Sequence, residues 1–119
     1  LLQNTYTEDR FSFIGCSGWY SRGGRRAHFD QQPIEAASTV MMLERAFKSS
    51  GDKDYLKLQR EAFEWFTGRN DINTEIYDSR TGGSCDGLME NGVNRNQGAE
   101  STLSFLMSLL TVIRTEENT

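Results

Sequence analysis

Five carboxylates stand at junctions between polar loops and helix-forming runs: Asp30, Glu35, Asp86, Glu90 and Glu100. Two carboxylates facing one another are what hydrolysis of a glycosidic bond requires, one to protonate the leaving oxygen and one to activate water or attack. Asp86 and Glu90 open no obvious helix, so they are the candidate catalytic pair. Asp30 and Glu100 sit where a carboxylate caps exposed amides or meets the positive end of a helix, and both also face the loops as candidate ligand contacts. Glu35 falls in a first helical turn, where Arg22, Arg25 or Arg26 would satisfy it as a structural ion pair. Asn94, Asn96 and Gln97 both donate and accept, which suits adjacent sugar hydroxyls and buried loop carbonyls alike. Trp19 and Tyr20, on a glycine-bearing loop, offer an aromatic face to a sugar ring or a plug for the core. Arg22 and Gln31 complete the candidate binding set with Trp19, Asp30, Asn94, Asn96, Gln97 and Glu100.

The elements that must position these groups are helical. Pro33 belongs in a first helical turn, with Asp30 ahead of it as the expected cap. Ala36, Val40, Leu43 and Phe47 then form one apolar stripe that stops at residues 49–51. A second helix restarts at Asp52, carries Tyr55, Leu58, Ala62 and Trp65 on one side, and ends at Thr67 and Gly68; Trp65 is expected in the core. The connection is short enough to make the two an antiparallel hairpin. Residues 68–97 show no convincing periodicity beyond a turn at 78–83 and a weak β pairing at 76–77. A last helix is expected over 98–114, with Leu103, Leu106, Leu110 and Ile113 as one stripe and Phe105, Leu109 and Val112 as a second. An apolar circumference that wide predicts burial on two sides, and the polar tail 115–119 is expected to fray. Two polar loops, 17–32 and 82–97, each deliver a helix, so they are expected to share one mouth.

Composition narrows the classes. The 119 residues suit one domain, and a net charge of −4 leaves no basic footprint for nucleic acid. Mean hydropathy is −0.62, and no apolar run is long enough to span a membrane. With no secretory signal the expected setting is cytoplasmic, and a Cys16–Cys85 disulfide is an open but disfavoured pairing. Two distant cysteines and the single His28 do not make a zinc site, and nothing calls for a metal or another cofactor. The chain opens on Leu1-Leu2-Gln3 as if continued from something longer.

Longer motifs carry a resemblance. Gly18-Trp19-Tyr20-Ser21-Arg22-Gly23-Gly24, Phe29-Asp30-Gln31-Gln32-Pro33, Tyr77-Asp78, Thr81-Gly82-Gly83-Ser84-Cys85-Asp86-Gly87-Leu88 and Val93-Asn94-Arg95-Asn96-Gln97-Gly98-Ala99-Glu100-Ser101-Thr102 look like the end of a helical domain. That domain is found in bacterial group 1 glycosyltransferases, often behind the transferase domain, and the resemblance covers roughly residues 15–112. It is similar in layout to the six-hairpin α/α toroids of many glycosidases. The resemblance implies an all-α fold, with residues 1–119 as the C-terminal part of such a toroid and an N-terminal remainder as its partner. It implies a sugar-binding or catalytic cleft; the other readings are a non-catalytic helical scaffold and a toroid-type glycoside hydrolase. Glu90 ahead of Asn94 and Asn96 resembles the placing of the general acid in inverting cellulases. An apolar last helix without cover also predicts that the chain associates with itself.

Overall fold

The computed structural model describes residues 2–119. Helix α1 (Leu2–Thr5) leads into a two-stranded hairpin of β1 (Tyr6–Thr7) and β2 (Arg10–Phe11). A long irregular segment then delivers α2 (Pro33–Ser50), which is followed by α3 (Asp54–Glu64) and a 3-10 turn at Trp65–Thr67. Two further antiparallel hairpins follow, β3 (Tyr77–Asp78) with β4 (Gly83–Ser84) and β5 (Gly87–Met89) with β6 (Gly92–Asn94). Helix α4 (Ala99–Glu117) closes the chain. The architecture is therefore mixed: four helices with three small antiparallel sheets, neither all-α nor part of a toroid. The all-α expectation failed because the loop segments, too irregular for any period, satisfy their backbone groups by pairing into hairpins.

The helices themselves form for local reasons. Gln32 and Glu35 cap α2 reciprocally, the Gln32 amide donating to Glu35 Oε2 at 3.4 Å. This corrects the expectation for Asp30, which stands two residues upstream of the cap position. Gly51 ends the helix at φ 72°, a left-handed conformation a side chain would resist. Asp52 caps α3 through its carboxylate, which accepts the Asp54 amide at 2.9 Å.

Aromatic packing joins the layers. Phe11, Phe13, Trp65, Phe66 and Phe105 make a continuous chain of rings with centroids 5.2–5.6 Å apart, and Tyr77 stacks on Phe105 at 4.1 Å. The N-terminal hairpin, the 3-10 turn, β3 and α4 thus share one core, with Trp65 fully buried.

The largest departure from expectation lies in α4. Its inward face is Ser101, Ser104, Phe105, Ser108, Thr111, Val112 and Thr115, while Leu103, Leu106, Met107, Leu110 and Ile113 are 41–63% exposed. The helix is covered on one side only. It also continues to Glu117, past the point where fraying was expected.

Candidate functional site

The two polar loops do meet. Gln31 and Leu88 exchange backbone hydrogen bonds, Gln31 N to Leu88 O at 2.9 Å and Leu88 N to Gln31 O at 2.8 Å. Gly87 makes this approach feasible, since a Cβ there would stand 3.1 Å from the Gln31 carbonyl oxygen. Between the start of α2 and the start of α4 lies a cleft of about 470 Å³, with Asp30, Gln32, Asp86, Asn94, Glu100 and Ser101 among its polar walls and Cys16 and Met89 beside them. That volume lies within the roughly 300–1,000 Å³ of small-ligand sites.

The first wall is held by a buried polar hub. The Gln31 side chain is completely inaccessible. It accepts a hydrogen bond from Trp65 Nε1 at 2.9 Å and donates to the His28 carbonyl at 2.9 Å and to Asp71 Oδ2 at 2.8 Å. Asp71 also accepts from Ser12 Oγ at 2.5 Å and Arg10 Nε at 3.0 Å. Burial pushes the Asp71 carboxyl up, but the bonds from Ser12, Arg10 and Gln31 outweigh it and leave it below the usual carboxylate range. Gln31 is therefore a positioning residue whose side chain is not available to a ligand.

The second wall is organised by Asp86. Gly98 opens α4 in extended conformation and has no side chain to cap with. The Asp86 carboxylate does this from another segment, accepting the Gly98 amide at 2.8 Å, Ser101 Oγ at 2.7 Å and Asn96 Nδ2. A Cβ on Gly98 would stand 3.0 Å from Asp86 Oδ1, so the bare backbone is what lets the carboxylate in. The bonds from Ser101 and Asn96 hold the Asp86 carboxyl below its ordinary range. A group held ionised at a helix start is an anchor and an acceptor, the opposite of a general acid.

Of the remaining sequence candidates, Asp30, Asn94 and Glu100 line the cleft. Glu90 is exposed at the tip of the β5–β6 hairpin and forms none of the cleft wall. Gln97 is tied back into the fold, accepting from Thr81 Oγ1 at 2.7 Å and donating to Asp78 Oδ2 at 3.1 Å. Trp19 and Tyr20 are 54% and 46% exposed, with Trp19 held at φ 56°. They and the exposed Arg22 belong to the loop beyond Cys16 rather than to the cleft wall. Glu35 faces a separate apolar groove of about 360 Å³ beside Phe13, Ile34 and Met42. Burial raises its carboxyl, against a smaller lowering by the Gln32 amide and Arg26; no ion pair with Arg22, Arg25 or Arg26 forms among the described residues.

Sequence reasoning overlooked Gln32 and Ser101 as cleft residues. Their signals were position alone: the residue before a helix-opening proline, and a hydroxyl in the first turn of the last helix. Cys16 and Cys85 are both free thiols, Cys16 partly exposed and Cys85 buried. Among the described residues no cluster of three or more His, Cys, Asp or Glu could hold a metal ion, and no helix is long and apolar enough to cross a membrane. No protein-family model matches the chain, and no curated protein matches it.

Proposed function

We propose that this chain is a carbohydrate-recognising domain, of the kind that accompanies bacterial group 1 glycosyltransferases in the cytoplasm, and that it binds a sugar in the cleft between its two polar loops. The observation that carries the reading is the convergence of Asp30, Gln32, Asn94 and Glu100 on one open cavity anchored by the Gln31–Leu88 bridge. Carboxylates and carboxamides around one cleft offer the donors and acceptors that vicinal hydroxyls need. Recognition is favoured over hydrolysis because Asp86 is committed as an ionised cap and Glu90 lies outside the cleft, which leaves the expected acid–base pair unformed.

The experiment is an NMR titration of the isotopically labelled chain with a panel of neutral oligosaccharides. Amide shifts should gather at residues 30–32, 86–89 and 94–101, and Asn94→Ala and Glu100→Gln should each weaken binding about tenfold, the loss of one good hydrogen bond. Shifts that fall elsewhere, or affinity unchanged in both variants, would remove the cleft from the reading.

The outward apolar face of α4 favours a second reading, a helical scaffold that holds a partner. The two use different surfaces and are compatible.

A further inference from the structure

A second cavity runs along the first turns of α2 and shares no lining residue with the cleft. Glu35 and Met42, seven residues apart, face it from one side of that helix with Ile34 beside them. Phe13 and Ile14 close it from the segment after β2. Its volume is about 360 Å³ and its wall is mostly apolar. Hydrophobic sides around one fixed polar group are the ordinary build of a small-ligand site.

The polar group is Glu35, the one ionisable residue among those lining the cavity. The reciprocal cap of α2 engages only its Oε2, through the 3.4 Å bond from the Gln32 amide. Among the described residues, Oε1 accepts no hydrogen bond and the carboxylate has no ion pair. Arg26 is the cation whose field reaches Glu35, but its guanidinium is committed elsewhere, donating to the carbonyls of Asn4 at 2.5 Å and Phe13 at 2.6 Å. Burial holds the Glu35 carboxyl above its ordinary range, the behaviour of a carboxylate short of compensating charge.

These conditions select the ligand. A neutral apolar molecule would strip water from the carboxylate and return nothing, and an anion would meet like charge. A sugar would press its hydroxyls against hydrocarbon. An ammonium on an apolar body supplies what each part of the wall lacks, a charged donor for Glu35 and hydrocarbon for the rest. We propose that this cavity binds a small organic amine, its ammonium donating to Glu35 and its apolar part lying against Phe13, Ile14, Ile34 and Met42. The volume is that of a free small molecule, far below what a folded partner would cover. The site is separate from the sugar cleft and does not depend on it.

The test is an NMR titration of the labelled chain with 2-phenylethylammonium chloride and, in parallel, with its neutral analogue 2-phenylethanol, at pH 7 and one ionic strength. Amide shifts should gather at residues 13–14 and 34–42. The ammonium should bind about tenfold tighter than the alcohol, the gain of one charge-assisted hydrogen bond. Glu35→Gln keeps an acceptor for the Gln32 amide and should abolish that preference by weakening the ammonium alone. Ile34→Ser, at a residue 39% exposed, should weaken both probes about threefold through lost apolar contact. The contrast between the two probes in the wild-type chain holds whether or not either variant folds. Binding of neither probe overturns the proposal, as do equal affinities for the two, a preference that survives Glu35→Gln, or shifts that gather at 86–101 instead.

Discussion

Replacing Gln31 separates a residue that touches ligand from one that builds the wall. In Gln31→Ala the indole N–H of Trp65, a residue with no accessible surface, loses its acceptor, and an unsatisfied buried donor costs about 1–3 kcal/mol. Asp71 keeps Arg10 and Ser12, so the loss of its third donor adds about 1 kcal/mol. The His28 carbonyl belongs to an exposed residue and can turn to water, adding nothing. The space left by the truncated side chain adds about 1 kcal/mol more. The expected loss is about 3–5 kcal/mol, a large fraction of a small domain's stability. With an m value of about 1.5 kcal/mol/M, the urea midpoint falls by about 2–3 M. Gln31→Met fills the volume without the acceptor and should recover only the cavity part. Equilibrium urea unfolding followed by far-ultraviolet circular dichroism reads both variants. A loss below about 1 kcal/mol for Gln31→Ala would refute the reasoning and return Gln31 to the candidate ligand contacts.

Two carboxylates give opposite pH behaviour. Asp86 has its carboxyl held low in the folded state, so its stabilisation is present above the unfolded value and is lost as pH falls through the folded one. Asp86→Asn should therefore cost about 1 kcal/mol at neutral pH, as a weakened cap and lost dipole partner, with the gap to wild type closing below about pH 4 in parallel urea melts. Glu35 is raised by burial, so its favourable contribution is lost as pH climbs through its folded value, and the ionised group is a liability at neutral pH. Glu35→Gln should raise the melting temperature at pH 7 and leave it unchanged at pH 3, while keeping an acceptor for the Gln32 amide; a lower melting temperature at pH 7 would show the charge to be useful.

What the sequence made legible was the part governed by local rules. Pro33 and Gly51 bracket α2 as expected, and the short link through Asp52 sets α3 back against it, with Trp65 in the core. The meeting of the two loops was readable too, because each ends in a helix start and those starts must sit near one another if the helices pack side by side. The hairpins were not readable by period, since strands of two or three residues have none. One local signal was there: Glu90 and Asn91 make the two-residue turn between the paired Met89 and Gly92, and Gly92 takes φ 153°, which glycine tolerates. The cap on α4 was hidden for a different reason. Asp86 lies 12 residues before the Gly98 amide it accepts, and no capping rule that reads adjacent residues reaches that far.

The orientation of α4 shows why hydrophobicity alone misplaces a helix. Reading the largest apolar residues inward puts Leu103, Leu106, Leu110 and Ile113 against the core, and the fold does the reverse. Ser104, Ser108, Thr111 and Thr115 are small, so burying them lets α4 approach α2 and α3 closely. Their hydroxyls carry no desolvation penalty into that contact when they bond within their own helix: Ser108 Oγ to the Ser104 carbonyl at 2.7 Å, Thr111 Oγ1 to Met107 at 2.7 Å, and Thr115 Oγ1 to Thr111 at 2.8 Å. Thr115 also meets Gln59 and Glu44, residues buried on α3 and α2, which gives the inward face polar partners that leucine could not satisfy. The buried Glu44 fixes the choice. Its carboxyl, held low first by Arg114 and then by Thr115, needs both partners from α4, and turning the leucine stripe inward would carry Arg114 and Thr115 away from it. Satisfying that one charge sets the rotation of the helix, and the apolar stripe is left outside as a consequence.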